Sequence, residues 1–290
     1  MWMPVFRALL EPAMNAVERW CNSQADDALA LEGAGVRCPL KQKTLMFSVA
    51  GRTARQQEKW EKREQFLLDT AQQLIEIEGL VNFNMDRLVK VSGVSKGTVY
   101  NHFSGKEDCQ AALCIRGWEA VKSLFEQALS FEGHPREVVV AAHFAYRLHL
   151  QRFPVFSATL MTARTPAFAE KVTAERAQQM KELDDEIFEM LYRVVARAKV
   201  EGALPNETQE SIVTFLNWSM SYGVNMLART GFDGQTRAQF DSVNIALLGV
   251  NTVLDGIGMT PLSRDWDYEK TWQRVADEVF AEQLETTPPK

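Results

Sequence analysis

Apolar residues return every three to four positions along most of this chain, the spacing that lays one apolar stripe along a helix. The pattern predicts a helix over residues 61–78, with Leu67, Ala71, Leu74 and Ile75 on one face and Gly79 as its stop. Further helices are predicted over 107–131, over 136–153 (ending at the approach to Pro154), and over a long stretch, 166–201, closed by Gly202 and Pro205. Two more follow at 207–230 and 236–254, divided by Gly231-Phe232-Asp233-Gly234, and a last amphipathic stretch runs over 267–283. No alternation of period two is sustained, and no repeat of 20–50 residues is present. The expectation is an all-α fold.

The first fifty residues depart from this pattern. A short helix fits 11–20, with Pro12 at its first position. Residues 22–44 contain Gly33, Gly35 and Pro39 and keep no period. Residues 1–50 are therefore expected to be a poorly ordered extension. A start at Met46, just before a basic stretch, stays open.

The richest chemistry lies between Asn84 and Phe103. Asn84 is placed to cap a short helix by accepting from its free N–H groups. Leu88, Val89 and Val91 supply that helix with apolar contacts. Gly93 allows the positive φ of a sharp end, and Val94 plugs the corner. Ser95 caps a second helix in which Val99 and Phe103, four apart, face inward and leave Lys96, Thr98 and Tyr100 outward. Two short helices about a tight glycine turn make a helix-turn-helix, whose second helix can enter a DNA major groove. Lys96 can donate to guanine or phosphate, and Thr98 can bond a base edge or meet a thymine methyl. Gly97 permits close approach to the duplex, and Tyr100 offers a hydroxyl to a phosphate. Asn101 and His102 in the same segment, and Asn84 at its start, are further candidates for DNA contact. Lys106 opens the next helix, where a cation and free N–H groups favour phosphate. Arg55, in the basic stretch from Arg52 to Arg63, is a candidate for an arm following the backbone, weighed equally against a solvated helix face.

From about Lys62 to Cys109 the chain resembles the DNA-binding domain of the TetR family of bacterial transcriptional repressors. The resemblance rests on Leu67-Leu68-Asp69-Thr70-Ala71 and Leu74 before Gly79, on Leu88, on Gly93-Val94-Ser95-Lys96-Gly97-Thr98, Tyr100 and His102-Phe103, and on Lys106-Glu107. Val89 and Ser92 stand where the family usually has alanine, and Ile75 where it often has phenylalanine; these positions concern packing rather than the groove-facing surface. The resemblance implies a helix-turn-helix domain over 51–106 and a larger helical domain over 107–290 for effector binding and dimerisation. It further implies a homodimer that reads a palindromic operator on double-stranded DNA and releases it on binding a small effector, which the apolar and aromatic pocket candidates named below would make hydrophobic. The partners are thus operator DNA, a second copy of the chain and a small molecule. An activator or global regulator on the same fold remains an alternative, as does a helical ligand-binding protein or enzyme with a vestigial DNA motif.

Charge sharpens this picture modestly. The chain of 290 residues has a net charge of −6, yet residues 51–106 hold nine basic and seven acidic side chains. A local basic surface on an acidic chain is compatible with DNA contact. No apolar run is long enough for a bilayer, and the first ten residues lack the form of a secretory signal, so a cytoplasmic protein without a membrane partner is expected. Cys109 and Cys114 would point about 140° apart on a helix, and Cys21 and Cys38 complete no metal-binding spacing. His143 and His149 would stand about 120° apart, so neither a metal site nor a cofactor is expected. No nucleophile has a neighbouring base in sequence, and no enzyme is expected.

Two further surfaces are anticipated. An effector pocket is expected from Phe144, His149, Phe153, Phe156, Met161, Phe188, Tyr192 and Trp218, each weighed against a plain core role. A dimer face is expected on the helices over 207–230 and 236–254, through Phe215, Tyr222 and Met226 and through the small-residue row with Ala246, Gly249 and Val253, weighed against an internal core face.

Overall fold

The computed structural model describes residues 54–228 and 234–285. The expected extension over 1–50, its helix at 11–20, Arg52 and the turn at 231–233 lie outside the described residues. All regular structure among the described residues is helical. The chain divides into two compact units at Glu61/Lys62. Within the first unit the described part is the start of helix α1 (Ala54–Glu78), exposed from Ala54 to Lys59.

From Lys62 onward, α1 is joined by α2 (Met85–Ser92), α3 (Lys96–His102) and the first turns of α4 (Lys106–Leu129) around one core. Leu67, Ala71 and Leu74 come from α1, Leu88 from α2, Val99 and Phe103 from α3 and its end, and Cys109 and Leu113 from α4. Phe83 fills the corner before α2. Leu67, Leu88, Val99 and Phe103 are all fully buried, and each such side chain contributes roughly 1.5–3 kcal/mol relative to exposure. Glu78 at the end of α1 pairs with Arg87 of α2. Arg116 of α4 reaches back to Asp69 (2.6 Å) and to Gln72 (2.5 Å) on α1. The first three helices are thus anchored to α4, which continues into the second, larger core.

That core is built on α4 and α5 (Pro135–Arg152), with α6 (Pro154–Ala163), the short α7 (Pro166–Ala169), α8 (Ala174–Val200) and α12 (Tyr268–Glu278) around them. α9 (Glu210–Leu227) and α11 (Ile245–Ile257) pair against α5 and α8, with α10 (Gly234–Ser242) between them in sequence and α13 (Ala281–Glu285) at the end. Fully buried Arg136 ties α5 to the end of α11: it donates to the Met259 carbonyl (2.5 Å), pairs with Asp255 (2.7 Å) and lies 4.6 Å from the Tyr268 ring centroid.

Several element boundaries differ from the periodicity reading, each for a local reason. Pro154 starts α6 instead of merely ending α5, because a first-turn proline sacrifices no helical N–H bond. The stretch over 166–201 is two helices. Thr173 breaks it by donating its N–H (3.0 Å) and its hydroxyl (2.9 Å) to Asp108 of α4. The stretch over 236–254 is likewise split, with Asn244 at φ 45° between α10 and α11. Val91, expected to pack, is 52% exposed. Cys109 and Cys114 are free and buried; burial pushes both thiols up, Cys114 to about 11, so both stay protonated and inert.

At Gly117, α4 and the Phe156 ring of α6 come close together. A Cβ there would sit 2.2 Å from Cδ2 and 2.7 Å from Cγ of the Phe156 ring. The expected outcome of Gly117→Ala is a loss of about 1–3 kcal/mol despite alanine's better helix propensity, because the ring and not a flexible tip must move. Urea unfolding should show a lower midpoint at an unchanged slope.

Candidate nucleic-acid interface

The local chemistry of 84–103 explains its shape. Asn84 is extended and its Oδ1 accepts from the Arg87 N–H at 3.0 Å, starting α2. Gly93 ends α2 at φ 68°, a conformation that costs an L-residue about 1 kcal/mol or more and glycine almost nothing. Ser95 then caps α3, its Oγ accepting from the Thr98 N–H at 3.3 Å and lying 2.8 Å from the Thr98 hydroxyl. Val99 and Phe103 drive into the core, so the other side of α3 is left to solvent.

That outward side carries Lys96, Gly97, Tyr100 and Asn101, with Thr98 half-buried at its edge. The Lys96 side chain is 65% exposed; its ammonium donates to Asp86 at 3.1 Å and sits 5.6 Å from the Tyr100 ring centroid. The bond to Asp86 raises the Lys96 pKa, so the ammonium is charged throughout the neutral range. Nothing lies within 4 Å of a Cβ built on Gly97, so the helix surface there is open. An ammonium, a hydroxyl, a hydroxyl-bearing ring and an amide on one anchored helix can meet base edges and phosphates together.

Three residues expected on this surface are placed elsewhere. His102 is buried, because it lies three residues from Val99 and so shares the inward face of α3. Its Nδ1 is 3.1 Å from Glu64 Oε2. The Lys106 ammonium donates to the Leu80 and Val81 carbonyls at 3.3 Å, closing the corner after α1. Asn84 is exposed, but its side chain is taken up by the α2 cap and by the Asn82 carbonyl at 3.1 Å. Arg55 is exposed in the unit before Lys62, and the surface just described is built without it.

Sequence reasoning missed the residue that fixes the end of α3. Arg176, in the first turn of α8, donates to the His102 carbonyl (3.1 Å), to Asp108 (2.8 Å) and to Glu64 (2.9 Å), with its guanidinium 5.2 Å from the Phe103 ring centroid. Asp108 is fully buried and also accepts from the Ser104 N–H at 3.0 Å. Burial works to raise the Glu64 pKa, but the bonds and charges of His102 and Arg176 outweigh it and hold the carboxyl below its ordinary range. No sequence signal joins positions 64, 102, 108 and 176.

The expected pocket residues are also dispersed. Phe156, Phe188 and Trp218 line a cavity of about 350 Å³ together with Trp118, Tyr146 and Arg164, none of which the sequence singled out. A smaller space of about 40 Å³ adjoins it, lined by His143, Asn217, Thr214 and Ser221. Phe144 is core, stacked on Phe280 and edge-on to Trp272. His149 is buried against Phe153 and Phe156, and Met161 is 39% exposed. Tyr192 is half-buried on α8, outside both cavity linings. Burial lowers the histidines, His143 to about 4 and His149 to about 3, so both are neutral at neutral pH.

On the expected dimer face, Phe215 is 53% exposed, with Ile212, Leu216 and Leu248 similarly open. Tyr222 instead donates to the Ser157 carbonyl at 3.2 Å, and Ala246 is buried. Gly249 faces the same chain: a Cβ there would meet Met220 Sδ at 2.7 Å. Met226 and Val253 are half-buried.

An all-helical chain whose glycine-turned helix pair presents a polar, cationic helix defines a helix-turn-helix DNA-binding protein. Residues 67–113 match the model of the bacterial regulatory proteins of the tetR family. The chain is 27% identical over 174 residues to the uncharacterized HTH-type transcriptional regulator YxaF of Bacillus subtilis, covering 58% of this chain and 85% of that one. Its fold is similar to that of the TetR family transcriptional regulator PfmR from Thermus thermophilus, with a TM-score of 0.52 and 20% identity over 65% of this chain and 97% of the other. It is also similar to the fatty acid degradation regulator FadR from Bacillus halodurans, with a TM-score of 0.52 and 16% identity over 67% and 95% of the two chains. The resemblance to the tetR family of transcriptional regulators is thus carried by the DNA-binding segment, residues 67–113.

Lys96→Ala and Tyr100→Ala should each weaken DNA binding by about 10- to 100-fold at an unchanged thermal midpoint, because both side chains leave the core intact. Mobility shifts alongside thermal melts check this. Arg176→Met should cost roughly 3–5 kcal/mol by leaving buried Asp108 without its cation. Glu64 titrates lower in the folded chain than unfolded, so its stabilisation is complete above the ordinary carboxylate range and is lost as pH falls through the lowered value. The acid limb of stability against pH should therefore be shallower in Arg176→Met.

Proposed function

We propose that the chain is a repressor that binds a palindromic operator as a homodimer and lets go when a small, largely apolar effector enters the cavity between α4, α5, α8 and α9. The observation that carries this reading is the exposed Lys96–Tyr100 surface, with Thr98 at its edge, of a helix whose opposite side is locked into the core. Operator contact is assigned to residues 51–106, and effector binding and pairing to 107–290. A single two-turn helix reads few bases, so two copies related by a twofold are the ordinary means of gaining affinity and length of site.

The pairing surface in this reading is the open apolar side of α9 and α11, around Ile212, Phe215, Leu216 and Leu248. Side chains of that size left exposed on two packed helices suit burial against a second copy. Control then runs through α8. One end of that helix carries Arg176, bonded to the end of α3, and its middle carries Ile187, Phe188 and Leu191 in the cavity wall. An effector that wedges α8 away from α4 alters the position of α3 and shifts the dimer toward a spacing that no longer fits DNA.

Operator affinity should fall steeply as salt rises, since several phosphates are neutralised in each half-site. Phe215→Asp should give monomers by sedimentation and reduce operator affinity by at least about 100-fold with secondary structure retained. A flat salt response, or a monomeric wild-type chain with full operator affinity, would overturn the proposal.

A further inference from the structure

The larger cavity is lined at its water-facing edge by a charged side chain of the protein itself. Arg164 follows the last turn of α6. Its guanidinium lies 5.1 Å from the ring centroid of Trp218 on α9 and 6.0 Å from that of Trp118 on α4, and it pairs with Asp184 of α8. Phe188 stands in the same wall, one turn along from Asp184. Arg164 and Asp184 are both 38% exposed, so the pair sits at the boundary with water and not in the interior.

Among the described residues, the charged lining consists of this one cation and two carboxylates, Asp184 and Asp185. Asp185 is held from outside by Lys181 on the same helix, and Lys181 takes no part in the wall. Deeper in, the polar groups of the lining are uncharged: the Tyr146 hydroxyl, Thr214 and the His143–Asn217 pair. Aromatic faces attract a cation through their quadrupole, and a carboxylate beside them adds to that attraction. The mouth is therefore furnished for a flat cation, and in the free chain Arg164 fills that role.

The geometry points to an effector that carries its own delocalised cation on an aromatic body and takes the place of the Arg164 guanidinium between Trp218, Trp118 and Asp184. This deepens the reading of the cavity as an effector site and rests on it. Arg164 is long and joined to the end of a helix, so it can swing into water and lose little. An anionic ligand would instead have to compete with Asp184 for Arg164 while remaining beside two carboxylates. A neutral ligand would fill the volume and gain nothing from the charge. Displacing Arg164 also breaks its tie to α8, the helix whose first turn holds α3 through Arg176. Ligand charge is thereby linked to the DNA surface.

A matched set of probes separates these possibilities: biphenyl-4-carboxamidinium, biphenyl-4-carboxamide and biphenyl-4-carboxylate, which share a shape and differ in charge. Calorimetry on the full chain should give an order of amidinium, then amide, then carboxylate, with about tenfold or more between the first two. Asp184→Asn should weaken the amidinium by a similar factor and leave the amide unchanged. Arg164→Met should tighten the amidinium, since the competing side chain is gone. Trp218→Leu should weaken all three, placing them in this cavity. Binding led by the carboxylate or the amide would preserve the effector cavity and overturn its charge preference. Failure of all three to bind, or binding indifferent to Trp218→Leu and Asp184→Asn alike, would overturn the effector reading of this cavity together with the proposal.

Discussion

The Arg176 guanidinium, largely shielded from water, is the tie on which the geometry of the DNA surface depends. Four segments distant in sequence meet at it: α1 through Glu64, the end of α3 through the His102 carbonyl, the start of α4 through Asp108, and α8, which carries it. Withdrawing an arginine and an aspartate from water is costly unless their donors and acceptors are used. Here Asp108 accepts from Ser104, Thr173 and Arg176, so the charges are met by fixed partners at fixed angles. Apolar packing of Val99 and Phe103 holds α3 down, but it would tolerate small slides. The directional bonds at the end of α3 remove that freedom.

The same cluster shapes the second core. Thr173 gives its N–H and hydroxyl to Asp108, which interrupts what would otherwise run on as one helix and starts α8 at this point. α8 then runs from the cluster along α4 to the cavity. The cavity wall is therefore joined to the end of α3 by one helix and one side chain. The tight contact of Gly117 with Phe156 brings α6 close to α4, and the short run of chain after Phe156 places Arg164 over the cavity mouth.

Much of the DNA-side geometry was legible in the chain before any coordinates. Caps at Asn84 and Ser95, the turn at Gly93 and the inward pair Val99 and Phe103 all depend on interactions within four residues, which spacing reports directly. His102 shows the limit of that reading. It stands beside residues of the outward face in sequence, but its helical angle follows Val99, and Glu64 waits for it from another helix. The place of Lys106 at a helix start points to phosphate; two carbonyls of a distant corner take its ammonium instead.

The helical class, the helix-turn-helix and the outward Lys96 and Tyr100 can be read from the amino-acid order alone, because periodicity and caps are local properties of the chain; Thr98, read as outward, is half-buried at the edge. Only the tertiary structure decided which aromatic residues are core and which line a cavity. Phe144 and Phe188 are both aromatic residues on helices of the second core, and their fates differ through what packs opposite them. It likewise decided that Gly249 faces Met220 while Phe215 faces out, and that Arg176 and Arg164, inconspicuous in the sequence, bind α8 to the end of α3 and to the edge of the cavity. Such roles arise from pairs of positions far apart along the chain, and no local pattern carries information about a partner brought near only by folding.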